Sequence, residues 1–282
     1  MQERNKFGNK NEFNVGVIGC GSMGMEIIKF VLNKEISSST LRWVYDQDKS
    51  RFENLNTILP KNIQKTNNIY DVLNDNKVDL IVEAASPKFV TDNCLKILNS
   101  GKSMMIMSSG ALTDKNLIKD IYKSCKLNNV KVHIPSGAIG GIDCIKSVKN
   151  HLSSVSIKTT KSPEALLGAP GYKKFEKKKF TEPKIIFNGT ATEAINLFPS
   201  NINISATISL AGLGPDKTKV IILADPDTSK NTHEISIESS AGNFYFKLEN
   251  LPHPSNKRTS YLEILSAIET LISIENTFKI GT

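Results

Sequence analysis

The run Gly19-Cys20-Gly21-Ser22-Met23-Gly24, preceded by the apolar residues 15–18, constrains this chain more than any other feature. An apolar run that short, ended by glycine, is a buried strand entering a turn. Gly19 permits the tight passage from strand to helix. Gly21 leaves the backbone bare where a pyrophosphate could approach, and Gly24 lets the helix lie close to the strand. The first N–H groups of that helix, from Ser22 and Met23 onward, have no partner within it and carry partial positive charge, so they suit phosphate. Asp46 follows 22 residues after Gly24, at the end of the next apolar run. A carboxylate there accepts from ribose hydroxyls and repels a 2′-phosphate. The pattern therefore predicts a dinucleotide site favouring NAD, with Lys49 and Arg51 keeping NADP open.

Around this turn runs a rhythm. Strands are expected at 14–18, 41–45, 78–84, 104–107 and 130–134, and helices at 22–33, 50–59, 87–99 and 113–126. Such alternation predicts an α/β fold, a doubly wound parallel sheet, over about residues 13–137 behind a polar tail at 1–12. After 137 the rhythm changes. A helix at 140–148 precedes alternating segments at 154–159, 220–223, 235–237 and 244–248. They predict a smaller α+β domain at 138–259, with a mostly antiparallel sheet open on one face. That face would suit a homodimer. The last helix, with one apolar side, is expected at 260–276 and packs, with the tail to 282, back on the first domain.

Ligands of parallel sheets bind beyond the strands' carboxyl ends, which directs attention to Ala84, Ala85 and Ser108. The loop 134–143, PSGAIGGID after Ile134, could present N–H groups to a ligand or act as a hinge. No stretch reaches the ~20 apolar residues of a membrane-spanning helix. No apolar leader opens the chain, and Cys20, Cys94, Cys125 and Cys144 are widely spaced. The expectation is a cytoplasmic protein with reduced thiols and no metal site. The net charge of +8 is concentrated in residues 173–179, with five lysines and one glutamate. A nucleic-acid face would spread its charge, so this run reads as a solvated loop and nucleic acid is not an expected partner.

Several later motifs carry a resemblance. PSGAIGGID, Phe198-Pro199-Ser200-Asn201-Ile202-Asn203, Leu210-Ala211-Gly212, Asp225-Pro226, Asn231-Thr232-His233-Glu234-Ile235 and the stretch 256–262 resemble the L-aspartate dehydrogenase family, in order, from about Val15 to the end. One departure is Lys257, where the family usually has proline. The resemblance implies oxidation of L-aspartate by NAD or NADP to iminoaspartate, which hydrolyses to oxaloacetate and ammonia or feeds NAD biosynthesis. It implies Ala138 and Asn203 at the nicotinamide end, with Asn201 the alternative to Asn203, and His233 as the catalytic residue.

The chemistry agrees. An amine must be neutral before its carbon releases a hydride, and a histidine can take that proton. His133 is the rival base, while His151 and His253 read as solvated. Two substrate carboxylates need cations or N–H donors, for which Lys161, Arg258, Thr259 and Ser260 are candidates. Rival readings are a reductase of the homoserine dehydrogenase or dihydrodipicolinate reductase kind, and a non-catalytic NAD-binding redox sensor.

Overall fold

The computed structural model describes residues 13–33, 38–198, 202–254 and 256–281. The sequence-expected tail at 1–12 lies outside them, as do Pro199, Ser200 and Asn201. The first half runs β1 (Asn14–Ile18), α1 (Ser22–Leu32), β2 (Thr40–Tyr45), β3 (Gln64–Thr66), α2 (Ile69–Asn74), β4 (Leu80–Glu83), α3 (Pro87–Asn99), β5 (Ser103–Ile106), α4 (Lys115–Asn128) and β6 (Val132–His133). The second half runs α5 (Ile142–Ser147), β7 (Leu152–Lys161), α6 (Pro163–Leu166), β8 (Lys184–Thr190), α7 (Ala191–Leu197), α8 (Ile202–Ala211), β9 (Lys219–Ala224), β10 (Asn231–Ser239), β11 (Gly242–Asn250), β12 (Pro252–His253), β13 (Asn256–Ser260) and α9 (Tyr261–Glu275).

The first sheet has six parallel strands in the order β3-β2-β1-β4-β5-β6. The order reverses between β1 and β4, and a crevice opens where the loops leaving those two strands diverge. Strand β4 is buried at every residue because helices cover both faces. Ile27, Ile28 and Val31 of α1 pack on one face, and Phe89, Val90, Ile97 and Leu98 of α3 on the other. Full burial of each such side chain is worth about 1.5–3 kcal/mol. Helix α9 joins the first face, with Ile264, Ala267 and Leu271 in the cluster that includes Val15, Val17 and Ile27. Glu275 at its end accepts from Ser38 and Ser39.

The second sheet is ordered β11-β10-β7-β9-β8; β7 and β9 are parallel and the other pairs antiparallel. Val155, Ile157, Ile235, Ile237, Val220 and Ile222 point to one side and form its core with Ile208 of α8 and Phe198. The other side is polar. Lys158 is paired with Glu234, and the Tyr245 hydroxyl donates to Glu234.

Several local expectations are corrected. Residues 50–59 do not form an α-helix; a 3-10 turn, Lys49–Leu55, is capped by Asp48 and buries only Leu55. Strand β8 and helix α7 were not foreseen. Neither was α8, which carries apolar residues around its circumference and so lacks the one-sided pattern of a surface helix. His253 is not solvated: it is buried, with its ring edge-on to Tyr261 at 5.5 Å. The lysine run 173–179 is exposed, but it is anchored from beneath. Tyr172 and Phe175 are buried against Phe180, and Lys174 and Lys178 lie over the Phe175 ring at 5.1 and 5.5 Å.

Candidate active site

Gly19 adopts φ +92°, and a Cβ there would meet the Ala84 carbonyl at 2.5 Å. A Cβ on Gly24 would lie 1.7 Å from the Gly19 carbonyl oxygen, so this glycine permits the close approach of α1. A Cβ on Gly21 would meet nothing within 4 Å. It faces a groove of about 310 Å³ lined by Gly19, Gly21, Asp46, Arg51, Ala84 and Ala85 among others. The N-cap of α1 is Gly21, which has no side chain to satisfy the first-turn N–H groups. These features fit a dinucleotide: a helix start with no capping side chain, open space above the glycine, and a carboxylate at the far side.

Asp46 is fixed by the turn it serves. Its Oδ2 accepts from the Cys20 N–H at 2.8 Å and its Oδ1 from the Asp48 N–H at 2.9 Å. Arg51 sits beside it, only loosely held by Asp48 at 3.8 Å. The side chains of two expected groove residues are engaged elsewhere. Met23 packs into the apolar cluster beneath α1. Ser108 is buried, and its hydroxyl donates to Glu83 Oε1 at 2.8 Å. Ser22 opens α1, half-buried beside the groove.

The other end of the crevice is a small cavity between the two halves. Ala138, Gly137, Ser109, Asn203, Thr207 and Glu263 are among its lining residues. Helix α8 is held there from the first half: Ser109 Oγ donates to the Asn203 carbonyl at 3.0 Å, and the Gly110 N–H donates to Asn203 Oδ1 at 3.1 Å. In the loop 134–143, Gly137 at φ +69° borders the cavity, whereas Gly141 at φ +78° has the Phe246 ring where a Cβ would stand. The Ala138 carbonyl accepts from Asn250 at 2.7 Å, which pins the loop.

Beside this cavity a group of buried ionisable side chains gathers. His233 near the start of β10 pairs in register with Thr159 on β7. Its Nδ1 is 3.0 Å from Thr159 Oγ1, and its Nε2 is buried with no hydrogen-bond partner. The ring is 0% exposed. Burial, aided by the charge of Lys161, pulls its pKa down to about 3, so the imidazole is neutral across ordinary pH. Lys161, two residues beyond Thr159, is 7% exposed. Burial lowers its pKa to about 8, against the opposing pull of Glu263. Glu263, in the first turn of α9, is pushed up by burial and drawn down by Lys161 and by a hydrogen bond from Asn203.

The structure gathers His233, Lys161, Ala138 and Asn203, which the sequence singled out, around Glu263, which it did not. An acidic residue in the first turn of an expected helix reads as a dipole partner, and only the return of α9 to the junction reveals it. Ser260 is buried as the N-cap of α9, and Thr259 is partly buried. The Arg258 side chain lies outside the described residues. His133 stands on β6, partly buried, with Lys131 and Lys279 acting on it. Among the described residues no cluster of metal-ligating side chains exists, and no helix is long and apolar enough to cross a membrane.

A parallel sheet in this order, a glycine-turn groove and a buried ionisable cluster at its inner end define a nicotinamide-dependent oxidoreductase. A family model described as "Homoserine dehydrogenase, NAD binding domain" matches residues 19–135, and one described as "Aspartate dehydrogenase, C-terminal" matches residues 143–274. The L-aspartate dehydrogenase of Nitrosopumilus maritimus is 41% identical over 91% of this chain and 94% of its own. That of Methanosarcina mazei is 41% identical over 95% and 99%. The crystal structure of aspartate dehydrogenase from Thermotoga maritima superposes with a TM-score of 0.76 at 29% identity, covering 96% of this chain and 100% of that one. The chain belongs to the L-aspartate dehydrogenase family. Dihydrodipicolinate reductase from Paenisporosarcina sp. TG-14, at 15% identity and a TM-score of 0.53, shares the fold alone.

Proposed function

We propose that this chain oxidises L-aspartate to iminoaspartate, with NAD as the preferred hydride acceptor and water then releasing oxaloacetate and ammonia. The observation that carries the reading is the neutral, buried His233 beside Lys161 and Glu263, at the inner end of a crevice whose outer end suits a dinucleotide. The bound nicotinamide ring supplies the acceptor for the hydride leaving the substrate α-carbon. The first-turn N–H groups of α1 hold the diphosphate and Asp46 the adenosine ribose, with Ala84 and Ala85 as the floor. Ala138 and Asn203 border the nicotinamide. Arg51 on the groove wall offers the cation an NADP phosphate would need, which supports use of NADP as a second cofactor.

Lys161 binds one substrate carboxylate, and the N-terminus of α9 at Thr259 and Ser260, with Arg258 beside it, receives the other. Glu263 faces the ammonium. His233 takes a proton at Nε2 while Thr159 fixes Nδ1. A histidine with so low a pKa is a weak base; a substrate carboxylate that neutralises Lys161 removes one cause of the depression and strengthens it. Pairing of two copies through the polar face of the second sheet belongs to the same reading, supported by its partly exposed Tyr245 and Ile185.

The test is incubation with NAD, then NADP, and a panel of L-aspartate, L-glutamate, L-homoserine and L-malate, following absorbance of the reduced nicotinamide. Reduction with L-aspartate, matched by ammonia release, is expected. Reduction with another panel member and none with L-aspartate contradicts the reading, and no reduction with any member favours the sensor.

A further inference from the structure

Glu83 is the last residue of β4 and is 0% exposed. Its Oε1 accepts from the Ala85 N–H at 2.8 Å, the Ser86 N–H at 3.0 Å and the Ser108 hydroxyl at 2.8 Å. Its Oε2 accepts from the Ser108 N–H at 3.1 Å. The carboxylate thus ties the loop leaving β4, which lines the dinucleotide groove, to the end of β5, which leads to Ser109 and the inner cavity. It stands under the middle of the crevice.

Four donors converge on it. Burial raises its pKa above the usual carboxylate value, and the four hydrogen bonds hold that rise back. Among the described residues no lysine, arginine or histidine acts on it. Three of the donors are backbone N–H groups, which can only donate, so the pocket is built for an anion rather than an acid. Nothing in the proposed proton transfer uses this group. A charge held in a dry interior by dipoles alone still exerts its field on what binds nearby, because screening there is weak.

The two forms of a nicotinamide dinucleotide differ by one positive charge on the ring. We propose that Glu83 is a fixed negative charge beneath the middle of the crevice, and that it biases the protein toward the oxidised dinucleotide over the reduced one. The inference rests on the dinucleotide reading of the groove. It adds that the balance between the two cofactor forms is set by a residue that touches neither substrate nor, through its own atoms, the groove surface. Glu83 is in this sense a positioning residue with an electrostatic consequence: the same bias leans the bound equilibrium toward oxidised cofactor and amino acid.

The experiment measures Kd for NAD+ and for NADH by calorimetry in the parent, Glu83→Gln and Glu83→Asp, with melting temperatures alongside. Glu83→Gln removes the charge and should lower the ratio Kd(NADH)/Kd(NAD+) by roughly tenfold. Glu83→Asp keeps the charge while disturbing the four hydrogen bonds, so it should weaken both forms and keep the parent ratio within about twofold. If Glu83→Gln does not fold, Glu83→Ala, in which water can reach the four donors, gives the same readout. A purely structural tie predicts equal losses of both forms in every variant, and that result overturns the proposal. A parent that binds neither form overturns the dinucleotide reading itself, and the role of Glu83 with it.

Discussion

The two ends of the crevice are built on opposite plans. The outer end is wide and made mainly of backbone: a glycine turn, an uncapped helix start and one carboxylate held by two N–H donors. The inner end is narrow and made of side chains: Asn203 from α8 and Glu263 from α9 line it, with Lys161 from β7 and His233 from β10 behind Glu263. The outer end binds through geometry that tolerates solvent. The inner end depends on burial, which moves His233 and Lys161 away from their usual pKa values. Affinity for the cofactor and competence for the chemistry should therefore be separable by substitution.

The sharpest break of the outer end is Gly21→Val. Nothing within 4 Å opposes a Cβ there, so the variant should fold with an unchanged melting temperature. The branched side chain fills the space above the turn, and NAD affinity should fall by about a hundredfold, some 2.7 kcal/mol. Normal affinity in a folded variant would remove the groove from cofactor binding.

At the inner end, Lys161→Met removes the buried cation while keeping its volume. Inhibition by succinate, a dicarboxylate with no amine to titrate, should weaken by roughly tenfold or more. The parent should show a linked pH dependence. Its Lys161 is charged below a pKa of about 8 and neutral above it. A bound carboxylate favours the charged form, so succinate should bind best below pH 8 and lose up to about tenfold per unit above it. In Lys161→Met that alkaline loss should vanish. If it persists, another group binds the carboxylate.

Asp46→Ala should produce the smallest change, because the groove is exposed and the substitution touches selectivity more than binding. The ratio of kcat/KM for NAD over NADP should fall by about five- to tenfold, while loss of the Cys20 N–H contact weakens both cofactors together. An unchanged ratio would place the adenosine ribose elsewhere.

The same contrast explains what was legible in the sequence. The outer end is written within residues 15–46, because a strand, a turn and a helix that are neighbours in sequence are neighbours in space. Even so, the side chain of Met23 packs against the core, and farther along the chain that of Ser108 is held by Glu83. The inner end draws on residues from 159 to 263, and spacing carries no information about which of them meet. His233 stood out at the start of an alternating strand and Lys161 as a cation after a strand end, and the family resemblance supplied the role of His233. Glu263 gave no such signal, and Glu83 read only as part of a strand end facing the crevice.

The central claim is that His233 performs chemistry at one end while the cofactor is held at the other. The most direct measurement is turnover of L-aspartate together with NAD+ affinity, in the parent and in His233→Asn. Asparagine keeps size and polarity but cannot take the proton. Turnover should fall by about 10²–10⁴-fold, with Kd for NAD+ within about twofold of the parent. Near-parent turnover would contradict the claim and make Lys161, with its pKa of about 8, the next base to test. Equal loss of turnover and of NAD+ binding would show instead that His233 only holds the junction together.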